Sequence, residues 1–99
     1  MSKPVFFNTK NETIELRFSA RTMKKIETRL GKKISAIEDS VIDMETMLEY
    51  GLVKKDINED MVFDMMDEVG LKYCATKISE ALNEAVKGNE EQKNLEKVV

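Results

Sequence analysis

The sequence predicts a mainly α-helical domain with a short N-terminal β-hairpin, an α+β fold of four to five helices. Three observations carry this. Period-two alternation of apolar and polar residues is confined to residues 13–18, whereas apolar residues recur at helical spacing through most of the chain after them. Isolated glycines at 31, 51, 70 and 88, with capping residues, divide that helical part into segments of ordinary length. At 99 residues the chain fits one compact domain that can bury a core without disulfides or a structural metal.

The elements follow in order. In "ETIELRF", Ile14, Leu16 and Phe18 alternate with Thr13, Glu15 and Arg17, the pattern of a half-buried strand. "PVFF" before it, across the polar "NTKN", is the candidate hairpin partner, and Pro4 keeps that strand short and at an edge. Ser19 can cap a helix over about 20–30 whose Met23, Ile26 and Leu30 share a face, with Gly31 as its stop. A short apolar segment, Ile34, Ile37 and Val41, leads to "DMETMLEYGL". There Asp43 is the expected cap, Val41, Met44, Met47, Leu48 and Leu52 line one side, and Gly51 loosens the end. Asn58 caps the next helix, whose Met61, Val62, Met65, Met66 and Val69 fall within an arc of roughly 140° before Gly70. A last helix over about 71–87 gathers Leu71, Cys74, Ala75, Ile78, Ala81, Leu82, Ala85 and Val86 on one side. Residues 1–88 thus form the expected domain, and 89–99 a polar tail expected to fray.

Composition narrows the function. Apolar residues make up 41% and charged residues 35%, with apolar runs of no more than two or three, so no membrane span is expected. "MSKPVFFNTKNE" lacks the apolar core of a signal peptide, and one cysteine makes no intramolecular disulfide, which together predict a cytoplasmic protein. The net charge of −3 conceals a segregation. Arg17 to Lys33 carries seven basic residues against the single acid Glu27, while Ile34 to Gly70 carries eleven acids against Lys54 and Lys55.

Catalytic, metal and cofactor chemistry find no foothold in the residue types. No histidine is present, which removes the commonest general base and transition-metal ligand. Cys74 lies on an apolar helical face with no base to activate it and reads as a small buried hydrophobe. The carboxylates read as solvated polar faces, and none is nominated as a catalytic pair. Asp56, Asn58, Asp60 and Asp67 match part of an EF-hand loop, but the position that must turn sharply is Met61 and the helical period runs through the rest. Helix capping by Asn58 explains them without calcium. The glycines form neither a dinucleotide fingerprint nor a P-loop. Nucleic acid could meet Arg21, Lys24, Lys25 and Arg29, but the acidic remainder would repel its backbone and no aromatics interleave with the charges.

Two features point to protein binding. Met23, Met44, Met47, Met61, Met65 and Met66 all fall on apolar stripes, which most simply makes them core; methionine is also the side chain that repacks most readily around varied partners. Tyr50, Phe63 and Tyr73 lie off the core face of their own helices, so they pack on a neighbouring element or face a partner. The candidate partner surface is therefore Tyr50, Phe63, Tyr73, Met61, Met65 and Met66. The opposed charge poles suggest head-to-tail self-association through Arg21, Lys24, Lys25 and Arg29, with intramolecular neutralisation as the plain alternative.

The order of elements resembles a known family. "ETIELRFSARTMKKIETRLGKKI", then "DMETMLEYGLVKK", "INEDMVFDMMDEVG" and "LKYCATKISEALNEAVKG", over about residues 5–88, is similar to the tail assembly chaperones of long-tailed bacteriophages of Gram-positive hosts. Its parts are a strand leading into "F-x-A-x-x-M-K-K-I-E-x-x-L-G-K", an "L-x-x-G-L", and a last helix with "I-x-E-A-L". The resemblance implies a non-catalytic chaperone, without cofactors, that binds the long helical tape measure protein, helps tube subunits assemble around it, self-associates and is absent from the mature virion. Many such phages also make a longer product by frameshifting; the ending "EKVV" resembles the short one. A small regulatory adaptor or inhibitor is the alternative reading, and a nucleic-acid binder using the first helix the third.

Overall fold

A computed structural model of the chain describes residues 3–37 and 40–98, with side-chain surroundings up to residue 87. It is mainly helical with a two-stranded N-terminal hairpin, as the periodicities predict. Strand β1 (Val5–Asn8) pairs antiparallel with β2 (Thr13–Leu16), setting Val5 opposite Leu16 and Phe7 opposite Ile14. Two-residue periodicity turns Phe7, Ile14 and Leu16 into the core and leaves Phe6 half exposed on the other face. The turn closes through the Thr9 N–H donating to the Glu12 carbonyl (2.9 Å) and the Glu12 N–H donating to the Thr9 hydroxyl (3.2 Å). Its tip is held down by the Lys10 N–H donating to the Glu68 carboxylate (2.5 Å).

Helix α1 (Ala20–Leu30) begins where the Ser19 hydroxyl accepts from the Thr22 N–H. It ends at Gly31, whose φ of 68° is the left-handed conformation that glycine adopts without cost. A single 3-10 turn, η1 (Ile34–Ala36), follows. Helix α2 (Val41–Gly51) is capped by Ser40, whose hydroxyl accepts from the Asp43 N–H, and not by Asp43 as the sequence suggested. Asp43 sits in the first turn instead, buried against Lys32 Nζ at 2.6 Å. Helix α3 (Glu59–Val69) starts at the expected cap, Asn58 Oδ1 accepting from the Met61 N–H (2.9 Å). Helix α4 (Leu71–Val98) continues through Gly88, where the sequence suggested a stop.

Helix α2 is the axis of the fold. Helices α1, α3 and α4 all pack on it, and six consecutive residues, Asp43 to Leu48, are buried. A one-stripe reading of α2 misses this: Val41 and Ile42 are exposed, while Glu45 and Thr46, on the expected polar side, are inside. After α2 the chain joins the hairpin. Leu52 bridges Leu16, the Val53 N–H donates to the Glu15 carbonyl (2.8 Å), and the Arg17 N–H donates to the Gly51 carbonyl (2.9 Å). Gly51, expected to loosen the helix end, instead makes this approach possible. A Cβ there would lie 2.5 Å from Phe18 Cε1 and 2.9 Å from Leu16 Cδ1, both in buried side chains.

Candidate functional site

Four of the six methionines placed on stripes, Met44, Met47, Met65 and Met66, belong to the core, and Met23 and Met61 pack against it half-buried. The candidate partner surface therefore divides. Met65 and Met66 are interior, at 8% and 2% exposure, and offer no binding face. Met61, Phe63, Tyr50 and Tyr73 keep partial accessibility while leaning on the core from their helices.

Tyr73 is spoken for within the domain. Its ring meets Phe7 edge-on (centroids 5.3 Å apart, planes at 68°), its hydroxyl accepts from the Asn8 N–H (3.0 Å), and Lys77 Nζ lies 5.7 Å from the ring centroid. It tethers the hairpin to α4, packing on a neighbouring element. Tyr50 points toward the basic helix, where its hydroxyl accepts a long hydrogen bond from Arg29 Nη1 (3.4 Å).

The basic pole from Arg17 to Lys33 is partly neutralised within the molecule. Arg29 pairs loosely with Glu59 (3.9 Å), and Lys32 pairs with Asp43. Arg21, Lys24 and Lys25 are exposed, and among the described residues none of them makes an ion pair.

The structure adds a groove of mixed apolar and polar lining that the sequence did not announce. It is lined by Ile34 and Ile37, by Met44 and Met47 of α2, and by Ala75, Ile78, Ser79, Leu82 and Asn83 of α4; Met44, Met47 and Ile78 are buried, the other apolar residues half-buried, and Ser79 and Asn83 exposed. Its volume is about 210 Å³. Ligand pockets usually enclose about 300–1,000 Å³, so this groove suits protruding side chains of a partner better than an enclosed small molecule. No single stretch of sequence encodes it; η1 and α2 are neighbours in the chain, but the α4 residues that complete it begin 28 positions after Met47. The one local signal is the i, i+3 and i, i+4 spacing of Ala75, Ile78, Ser79 and Leu82 on α4.

Opposite chemistry gathers on another side of α2. One carboxylate oxygen from each of Glu45, Glu49 and Glu59 lies within 4.8 Å of the others. Glu45 is 3% exposed, and its Oε2 and the Oε1 of Glu49 are buried without hydrogen-bond partners. Burial, followed by the proximity of Glu49, pushes the Glu45 carboxyl up to about 8; Glu59 acts in the same direction and Arg29 opposes it. The expectation that every carboxylate sits on a solvated face therefore fails at Glu45, because α3 and α1 close over the polar side of α2. The i, i+4 spacing of Glu45 and Glu49 was visible in the sequence, but the arrival of Glu59 was not.

Cys74 is fully buried, and desolvation pushes its thiol up to about 11, leaving it protonated and unreactive at neutral pH. Asn58, the second residue of the calcium-like pattern, has its side-chain oxygen engaged in capping α3. Among the described residues no helix is long and apolar enough to cross a membrane. No family model, curated protein or solved structure matches the chain.

Proposed function

We propose that this protein is a non-catalytic tail assembly chaperone of long-tailed bacteriophages of Gram-positive hosts, binding helical segments of the tape measure protein while tube subunits assemble around it. Besides the sequence resemblance, the observation that carries this reading is the open groove between η1, α2 and α4. Its accessible apolar lining is the half-buried Ile34, Ile37, Ala75 and Leu82, with Met44 and Met47 buried beneath them as a deformable backing. A helix laid across it would place side chains at i, i+3 and i+4 into the groove, the usual way one apolar helical face is held by another protein. Met61 and Phe63 on α3 give a second half-exposed apolar area for the same client.

Several copies coating one long client need only weak contacts each, because neighbouring sites act together. Arg21, Lys24 and Lys25, exposed and without ion pairs among the described residues, are the charges available to meet the acidic middle of the next copy. In this reading the protein works in the host cytoplasm, is left behind by the finished virion, and acts with a longer frameshifted form of itself.

The test mixes the full chain with expressed helical segments of a tape measure protein and follows solubility and sedimentation velocity. Several copies per client and a client kept soluble are expected. Ser79→Arg with Asn83→Arg, both exposed at the groove rim, should weaken binding by about tenfold or more with unchanged circular dichroism. A client that precipitates regardless of chaperone excess defeats the proposal, and a strict one-to-one complex with a folded partner would favour a regulatory adaptor.

A further inference from the structure

We propose that Glu45, Glu49 and Glu59 form a binding site for a hard divalent cation of calcium or manganese size, clamping α2 to the first turn of α3. This inference is independent of the client the protein serves.

The donor set is oxygen alone, which selects hard cations over zinc or copper. The three donor oxygens lie within 4.8 Å of one another, a spread that an ion with oxygen distances of about 2.3–2.6 Å can bridge while water completes its shell. Exposed acidic clusters are ordinary; the position of Glu45 is not. Glu45 is 3% exposed and supplies one oxygen of the cluster; its Oε2 and the Oε1 of Glu49 are buried with no donor, and the two side chains reach each other only if a proton is shared between them. Buried polar atoms are satisfied in the great majority of cases, so two orphaned oxygens on neighbouring carboxylates of one cluster call for a cation or a proton between those carboxylates.

The neighbouring cation does not fill that place. Arg29 reaches Glu59 only at 3.9 Å, is half exposed, and leaves both buried oxygens unpaired. Charge also balances: three carboxylates are met by a divalent ion together with the Arg29 guanidinium. A proton shared by Glu45 and Glu49 is the competitor, so the metal must displace it, and affinity rises as the pH is raised. The groups acting on Glu45 are Glu49 on its own helix, Glu59 on α3, and Arg29 on α1, which also hydrogen-bonds Tyr50.

The test uses the full chain stripped with chelator at pH 8 and low salt, titrated with Mn2+ and followed by electron paramagnetic resonance, with Ca2+ followed by thermal melting. One Mn2+ per chain is expected. Ca2+ at about ten times its dissociation constant should raise Tm by roughly 5–10 °C. Glu45→Gln should abolish both responses. Glu59→Gln, at an exposed position where folding is not at stake, should weaken Mn2+ binding by more than the about 10–100-fold that loss of an outer-shell partner costs. Asp60→Asn and Asp64→Asn, exposed carboxylates outside the cluster, should leave it unchanged. Absence of stoichiometric Mn2+, or an equal response in Glu45→Gln, overturns the proposal and leaves the shared proton as the sole occupant.

Discussion

Raising the pH from 5 to 8 in chelator should weaken the fold through Glu45. Its carboxyl stands at about 8 in the folded protein against an ordinary 4.5, so between these values the folded state holds a proton that the unfolded chain has released. Stability from this group is therefore complete below about 4.5, falls as pH rises through the window, and is lost above about 8. One proton gives a slope of at most about 1.4 kcal/mol per pH unit, a ceiling of about 4 kcal/mol over three units. Glu59 is exposed and can swing outward, and Arg29 offsets part of the repulsion, so about 2 kcal/mol is the expected loss. That is a large share of the about 5–15 kcal/mol holding a domain together.

The assay is urea unfolding at pH 5, 6, 7 and 8 for the wild type and Glu45→Gln, with the difference between them as the readout, because groups common to both cancel. The amide of the variant does not titrate, yet it can donate to Glu49 as the protonated acid does. The two proteins should be nearly equal at pH 5, and the variant should be more stable at pH 8. A difference that stays constant from pH 5 to 8 would refute the reasoning and place the Glu45 carboxylate in contact with water.

Two further substitutions probe how the hairpin is held. Gly51→Ala drives a methyl group into the buried Phe18 ring and Leu16; overpacking costs about 1–3 kcal/mol against about 1 kcal/mol regained in helix propensity, and a Tm lowered by several degrees is expected. An unchanged melt would mean that Phe18 can step aside. Tyr73→Phe removes only the hydroxyl at the exposed Asn8 N–H and should cost about 0.5 kcal/mol, whereas Tyr73→Ala also removes the ring from Phe7 and should cost about 2–3 kcal/mol. Faster amide exchange in residues 5–8 and 13–16 would accompany that loss; a Tyr73→Ala protein as stable as the wild type would return this side chain to the candidate partner surface.

What the sequence determined by itself is what short-range physics controls. The strand at Thr13–Leu16, the caps Ser19 and Asn58 and the stop at Gly31 depend on side-chain alternation and on hydrogen bonds spanning three or four residues, so they were legible. The first cap of α2 was misread because Ser40 and Asp43 are both capping residues three positions apart, and only the backbone path into the helix chooses between them. Tertiary structure alone decided which faces are covered. Helix α2 lies beneath α1, α3 and α4, so its carboxylate Glu45 is buried and its Val41 and Ile42 are exposed, against any single-stripe reading. The groove needs α4 brought back onto α2, the carboxylate cluster needs α3 folded against the α2 that precedes it, and Tyr73 became a tether only because α4 carries it to Phe7. Periodicity fixes which residues share a helix face; what that face meets is set by packing among elements, and there the residues that could bind a partner or an ion were sorted from those that hold the core.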